Sequence, residues 1–184
     1  MISDEELLYE LQKGHESALE ALVHRYHRQI FAYLYRVTHN YHLAEDLAQE
    51  TFWRMCKTVK LYKYPRSFKP WLYTIASNIT RDHWRSAGNK PTQELPEELA
   101  AEGNVEEWFE RQENRQRVVK ALGQLEGSRR EIVILRFYQD LTLAEISQVT
   151  GFPLGTVKSR LHYALKELRE LLKGGGNCEI QVGK

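Results

Sequence analysis

Residues 142–162 read Thr-Leu-Ala-Glu-Ile-Ser-Gln-Val-Thr-Gly-Phe-Pro-Leu-Gly-Thr-Val-Lys-Ser-Arg-Leu-His. Thr142 and Glu145 have capping-box spacing, in which a hydroxyl and a carboxylate each satisfy a free amide at a helix start. The short helix they open carries Leu143, Ile146 and Val149, and Gly151 stands where a turn needs a residue tolerant of positive φ. A second helix follows, with Thr156 as its expected cap. On it Val157, Leu161, Ala164, Leu168 and Leu171 share one side. Lys158, Ser159, His162, Tyr163 and Lys166 fall mainly on the other, with Arg160 at the flank. The apolar stripe must dock, so the polar side faces outward. That is a helix-turn-helix, whose outward face can enter a major groove, or any helical hairpin with a basic solvent face.

Helical periodicity extends over residues 4–87 and resumes from about Val105 to Leu172, with no strand-like alternation between. The expected fold is all-α: two small helical domains joined by a flexible acidic linker, the second with the helix-turn-helix. The expected boundaries are 1–88, a linker at 89–111 containing Pro91 and Pro96, 112–173, and a tail at 174–184 that begins with three glycines.

The formal net charge of +1 conceals segregation. Residues 1–20 hold six acids against Lys13, residues 53–90 hold nine bases against Asp82, and residues 91–113 hold eight glutamates against Arg111. The basic block suits a polyanion or, equally, a solvated basic face. With 42% hydrophobic and 28% charged residues in 184, the chain can build cores. No apolar run approaches the roughly 18 residues of a membrane span, and the first residues lack a secretory pattern. Two distant cysteines, Cys56 and Cys178, form neither a metal clamp nor a disulfide framework. A soluble chain of a reducing compartment, hence cytoplasmic, is expected.

In residues 43–55, Leu43, Ala44, Leu47, Ala48, Thr51 and Met55 share the buried side of a helix. Asp46, Gln49 and Trp53 share an exposed one. A displayed tryptophan beside an acid and an amide has the composition of a protein-binding hot spot, or of a Trp tucked under a loop. In residues 62–85, Phe68, Leu72, Ile75, Ala76 and Ile79 form an apolar stripe. The opposite side shows Thr74, Asn78, Arg81 and Arg85, with Trp71 at its edge. Tyr62, Lys63, Tyr64 and Arg66 precede it as aromatics interleaved with bases, a composition that stacks unpaired bases and tracks phosphates. Phe68 and Trp84 also suit a core.

These segments resemble the extracytoplasmic-function (ECF) class of bacterial sigma factors. Residues 140–146 and 152–162, with Gly-Thr-Val-Lys-Ser-Arg at 155–160, resemble the family's −35 promoter-recognition module. The resemblance implies that Thr156, Lys158, Ser159, Arg160, His162, Tyr163 and Lys166 face −35 DNA, although Tyr163 and Leu165 replace common arginines. Residues 44–52 look like the segment that binds the β′ clamp helices, implying core-polymerase contacts for Asp46, Gln49, Glu50 and Trp53. Residues 67–85 resemble the helix that captures an unpaired −10 base, implying roles for Tyr62, Lys63, Tyr64, Arg66, Trp71, Tyr73, Thr74, Asn78, Arg81 and Arg85; Ser77 stands where arginine is common. The implied partners are the RNA polymerase core through its β′ and β subunits, promoter DNA and an anti-sigma factor.

No phosphate loop, metalloprotease motif or nucleophile–base pair is present in the sequence, so no catalytic residue, cofactor or metal is expected. His24 and His27, and His39 and His42, have one-turn spacing but no neighbouring ligands to complete a site, and are expected at the surface. A self-sufficient helix-turn-helix regulator is the competing reading, and a DNA-acting enzyme a more distant one. The basic, aromatic block at 62–85 favours the sigma factor, because a duplex-binding regulator needs no single-strand platform.

Overall fold

The structure is a computed structural model, and it describes residues 2–62, 67–87 and 116–173. Among these there are only helices and connecting turns. The first unit comprises α1 (Asp4–Gln12), α2 (Glu16–Thr38), α3 (Tyr41–Thr58), a 3₁₀ turn (Val59–Leu61) and α4 (Phe68–Ala87). The second comprises helical residues 116–124 (α5), α6 (Gly127–Phe137), α7 (Leu143–Thr150) and α8 (Leu154–Lys173). The acidic linker, the tail and Cys178 lie outside the described residues, as do Lys63, Tyr64 and Arg66.

The helix ends follow local chemistry. α1 opens on a capping box in which Ser3 and Glu6 satisfy each other's backbone amides, with three acids in the positive first turn. Asp4 then accepts from both Arg25 and Tyr26, fastening α1 to α2. Asn40 caps α3 by accepting from the Leu43 amide at 2.9 Å. Thr142 and Glu145 form the expected capping box of α7, and Gly151 ends that helix at φ 73°. The expected cap of α8 needs correction: the helix starts at Leu154, so Thr156 lies within its first turn. Pro153 precedes the start, and its carbonyl accepts from the Val157 amide.

The first unit packs Leu22, Ile30, Leu34, Met55, Phe68 and Leu72, all essentially inaccessible to water. Full burial of each such side chain contributes about 1.5–3 kcal/mol before the entropy of ordering is charged against it. A second cluster joins Leu122, Leu125 and Val133 to Ala164, Leu168 and Leu172 of α8.

The two units are not separate bodies in this structure. Ile132, Ile134, Leu135, Leu141, Ile146, Val149 and Val157 belong to the same continuous core as the first unit's residues. α7 lies on α4, and α6 on α2. The sequence predicts two domains joined by a linker; the direct docking between them is a further feature, visible only in three dimensions.

Candidate nucleic-acid and polymerase interfaces

Three surfaces carry the residues singled out in the sequence. The first is the outer stripe of α3. His42, Asp46, Gln49 and Trp53 recur at four-, three- and four-residue intervals, so they line one side of the helix, and all are exposed. Trp53 is 52% exposed although it has large apolar surface to bury. Lys57 sits one turn on, its Nζ 3.4 Å from the indole ring centre. Glu50 is half-buried and takes an i,i+4 hydrogen bond from Arg54 Nε at 2.7 Å. Behind the stripe, Ala44, Leu47, Ala48, Thr51 and Met55 are buried, which fixes the orientation of the outer side.

The second surface is α4 and the turn before it. Asn78 is exposed, and Arg85 projects into solvent with Asp82 3.3 Å away. Trp71 is half-buried, its ring 4.9 Å from Tyr62 and 5.9 Å from Phe68. Gln12 of α1 donates to the carbonyls of Val59 and Tyr62, at 2.8 and 3.1 Å, and so fixes the backbone that leads into residues 63–66. The Thr74 hydroxyl is turned back onto the Pro70 carbonyl at 2.7 Å.

Two residues expected on this face are placed otherwise. Tyr73 is fully buried: its hydroxyl donates to Gln139 of the second unit, and its ring meets Tyr33 edge-on at 5.2 Å. A residue with no accessible surface cannot touch DNA in this conformation, so its expected place on the −10 face is corrected to the interface between the units. Arg81 is half-buried and points inward, donating to Ser77 Oγ at 2.5 Å and to the Val149 carbonyl at 3.0 Å. The helix register is the reason. Lys69, Tyr73, Ser77 and Arg81 lie four residues apart and form one stripe, adjacent to but distinct from Asn78 and Arg85, and α6, the turn after it and α7 cover it.

The third surface is the outer side of α8. Lys158, Ser159, His162, Tyr163 and Lys166 are exposed while Val157, Ala164, Leu168 and Leu172 are buried beneath them. Arg160 is half-buried, its guanidinium 4.0 Å from the Phe152 ring centre, and Thr156 is half-buried at the turn. The Ser159 hydroxyl donates to the Thr156 carbonyl at 3.0 Å, and His162 and Tyr163 meet edge to face at 5.6 Å. Lysines, a hydroxyl, an imidazole and a phenol on the outer face of the second helix of a helix-turn-helix can reach base edges and phosphates.

The sequence reading missed a group of buried polar residues between the units. Glu131 is buried and accepts from Tyr33 Oη at 2.9 Å and from Ser77 Oγ. Burial pushes the Glu131 carboxyl above the ordinary carboxylate range, against the lowering effect of the Ser77 bond and the Arg81 charge. Arg130 is also buried and places four donors on carbonyls of Leu122, Gly123 and Leu125 in its own unit and of Val37 in the other. His39 was expected at the surface and is instead buried at φ 53°, its ring against Gly123 and its Nε2 without a hydrogen-bond partner. Desolvation, then the Arg130 charge, lowers its pKa to about 4. No local signal marks these residues, because each faces a partner on the other unit that is distant in sequence.

Among the described residues, no helix is long and apolar enough to cross a membrane, and no three His, Cys, Asp or Glu side chains are grouped to hold a metal.

Comparison with known proteins connects the three surfaces. Residues 22–90 match the family model for Sigma-70 region 2, and residues 121–170 match that for Sigma-70, region 4. The ECF RNA polymerase sigma factor SigW of Bacillus subtilis is 31% identical over 177 residues, which cover 89% of this chain and 94% of that protein. The fold resembles CnrH in its complex with the cytosolic domain of CnrY, with a TM-score of 0.71 at 21% identity over 94% of this chain and 99% of that one. It also resembles the sigma factor RpoE of Bartonella quintana, solved with the anti-sigma factor NepR, with a TM-score of 0.69 at 24% identity over 85% of this chain and 98% of that one. The two matched regions, in the order and spacing read from the sequence, together with a relative similar over nearly its whole length, show that the chain belongs to the ECF class of RNA polymerase sigma factors.

Proposed function

We propose that this chain is an alternative sigma factor that binds core RNA polymerase and directs it to specific promoters, without catalytic residues or a cofactor of its own. The observation that carries the reading is the separation of three exposed chemistries on three different helices, α3, α4 and α8. The α3 stripe of Asp46, Gln49 and Trp53 has the hot-spot composition of a protein contact, with Glu50 at its edge. Asn78 and Arg85 of α4, with Trp71 and Tyr62 beside them, suit capture of an unpaired −10 base. An amide can read a base edge, and aromatic rings stack on bases for roughly 1–3 kcal/mol each. Lys63, Tyr64 and Arg66 would extend that platform. The α8 surface of Lys158, Ser159, His162, Tyr163 and Lys166 suits duplex recognition at −35, with Arg160 and Thr156 at its margin.

The division of labour follows the expected boundaries: residues 1–88 bind polymerase and melt the −10 element, 89–111 connect, and 112–173 read the −35 element. The chain acts in the cytoplasm, where polymerase and promoter DNA are found. An anti-sigma factor restrains it, a reading supported by the resemblance of its fold to sigma factors solved with such partners. A stand-alone helix-turn-helix regulator would have no use for the α3 stripe or for Asn78.

The test is transcription in vitro from a cognate promoter by purified core polymerase with and without this chain. Promoter-specific transcripts should appear only when it is added. Binding of the promoter duplex by the chain alone, with no effect on core polymerase, would favour the stand-alone regulator and refute the proposal.

A further inference from the structure

The aromatic platform beside Asn78 is tied at both ends to α1, a helix that precedes the residues 22–90 matched to Sigma-70 region 2. At the start of α1, Asp4 accepts from Tyr26 Oη and from Arg25. The Tyr26 ring meets Phe68 edge-on at 5.2 Å, Phe68 lies 5.9 Å from Trp71, and Trp71 lies 4.9 Å from Tyr62. At the end of α1, Gln12 Nε2 donates to the Tyr62 carbonyl at 3.1 Å and to the Val59 carbonyl at 2.8 Å. The contacts form a closed ring that leaves α1 at Asp4 and returns to it at Gln12. Leu7 and Leu8, between those two residues in α1, are buried in the core and hold the helix in place.

Gln12 meets the ring where the backbone changes character. The 3₁₀ turn Val59–Leu61 ends there, and Tyr62 leaves it in an extended conformation, with φ −66° and ψ 129°. The Tyr62 amide closes on the Val59 carbonyl at 3.1 Å. Carbonyls at the end of a helical segment lack a partner within it, and water can satisfy them. Here one side-chain amide, 47 and 50 residues away in the chain, bridges two of them. Solvating these carbonyls does not require Gln12, but fixing the direction in which Tyr62 leaves the turn does. Trp71, Thr74 and Asn78 recur at three- and four-residue spacing and so share one side of α4, with Tyr62 packed at the Trp71 end. A ring that is already in place when an unpaired base arrives spares the binding step the cost of ordering it.

We propose that Gln12 is a positioning residue for capture of an unpaired −10 base: by bridging Val59 and Tyr62 it holds the Tyr62 ring against Trp71 and keeps the platform beside Asn78 preformed. The proposal rests on the reading of α4 as the −10 surface, and it gives α1 a part in strand capture besides its packing.

The test uses holoenzyme assembled from core polymerase and the full chain, with labelled single-stranded DNA of the non-template −10 sequence as the probe. Gln12→Met removes both donors and keeps an unbranched side chain of similar length. Affinity for the single strand should fall about tenfold, as expected for two lost hydrogen bonds of ordinary strength. Capture of core polymerase, binding of −35 duplex and helicity by circular dichroism should stay unchanged. Gln12→Glu, isosteric but with acceptors facing the two carbonyls, should weaken strand binding at least as far. A residue that acts through the Tyr62 ring should lose its effect when the ring is absent. Tyr62→Ala should therefore weaken strand binding by itself, and adding Gln12→Met should change little more, a non-additivity that general destabilisation does not produce. Unchanged strand binding by both Gln12 variants, with Asn78→Ala still weakening it, would overturn the proposal and leave the −10 reading standing. Additive effects of Gln12→Met and Tyr62→Ala, or a parallel loss of core capture in both Gln12 variants, would overturn it too by making Gln12 a folding residue. Strand binding unaffected by Asn78→Ala and Tyr62→Ala would refute the −10 reading, and the proposal with it.

Discussion

His39 offers a measurable consequence of the docked arrangement. Its imidazole is buried against Gly123 of the second unit, with its Nε2 unpaired and the Arg130 guanidinium as a charged neighbour. Burial, reinforced by that charge, lowers its pKa from 6.5 to about 4. The unfolded chain therefore takes up the proton first as the pH falls. Stability is fully held above about pH 6.5, declines between about 6.5 and 4, and changes no further from this source below that range. Between about pH 7.5 and pH 5 the linkage amounts to ~2 kcal/mol. At a typical urea slope of about 2 kcal/mol per molar, the midpoint of the transition that exposes His39 should fall by about 1 M. Glu131 acts in the opposite sense: its raised pKa means that the folded chain gains its proton first, which offsets part of the loss on acidification. The comparison must therefore be with a variant that keeps Glu131. His39→Asn removes the titration and keeps a residue tolerant of the left-handed backbone at φ 53°. The pH dependence of urea unfolding should be shallower in the variant by about the ~2 kcal/mol calculated for His39. Superimposable slopes for the two proteins would refute the burial argument.

Other outcomes follow from the three surfaces. Asp46→Ala with Gln49→Ala should weaken co-purification with core polymerase by tenfold or more, or at least ~1.4 kcal/mol, with unchanged circular dichroism because both side chains are exposed. Lys158→Ala should weaken promoter binding across sequences and lower the slope of log affinity against log salt by about one, whereas His162→Ala should change base preference at the −35 element. Both effects are read by binding titrations at several salt concentrations. Asn78→Ala should reduce permanganate-reactive thymines at the start site more than it reduces polymerase recruitment, and a pre-melted bubble template should restore much of the activity. Equal losses on duplex and bubble templates would place Asn78 in folding or core binding.

The sequence alone determined the features that depend on local geometry. Capping chemistry and 3.6-residue spacing fixed the ends of α7 and the outward side of α8, because these depend on residues within one or two turns of each other. The same held for α3, where Ala44, Leu47, Ala48, Thr51 and Met55 defined the buried side and thereby exposed Asp46, Gln49 and Trp53. Spacing failed where a helix is covered on more than one side. On α4, the apolar stripe explains burial against the first unit, while Tyr73, Ser77 and Arg81 look like polar, outward residues until the second unit is placed on them. Tyr33, His39, Arg130 and Glu131 share that property: Tyr33 and Glu131 are 98 residues apart in the chain, and no pattern within either helix reveals the other. Only the tertiary structure decided which polar residues face water and which face another unit, because burying a charge is tolerable only when its partners arrive from elsewhere in the chain.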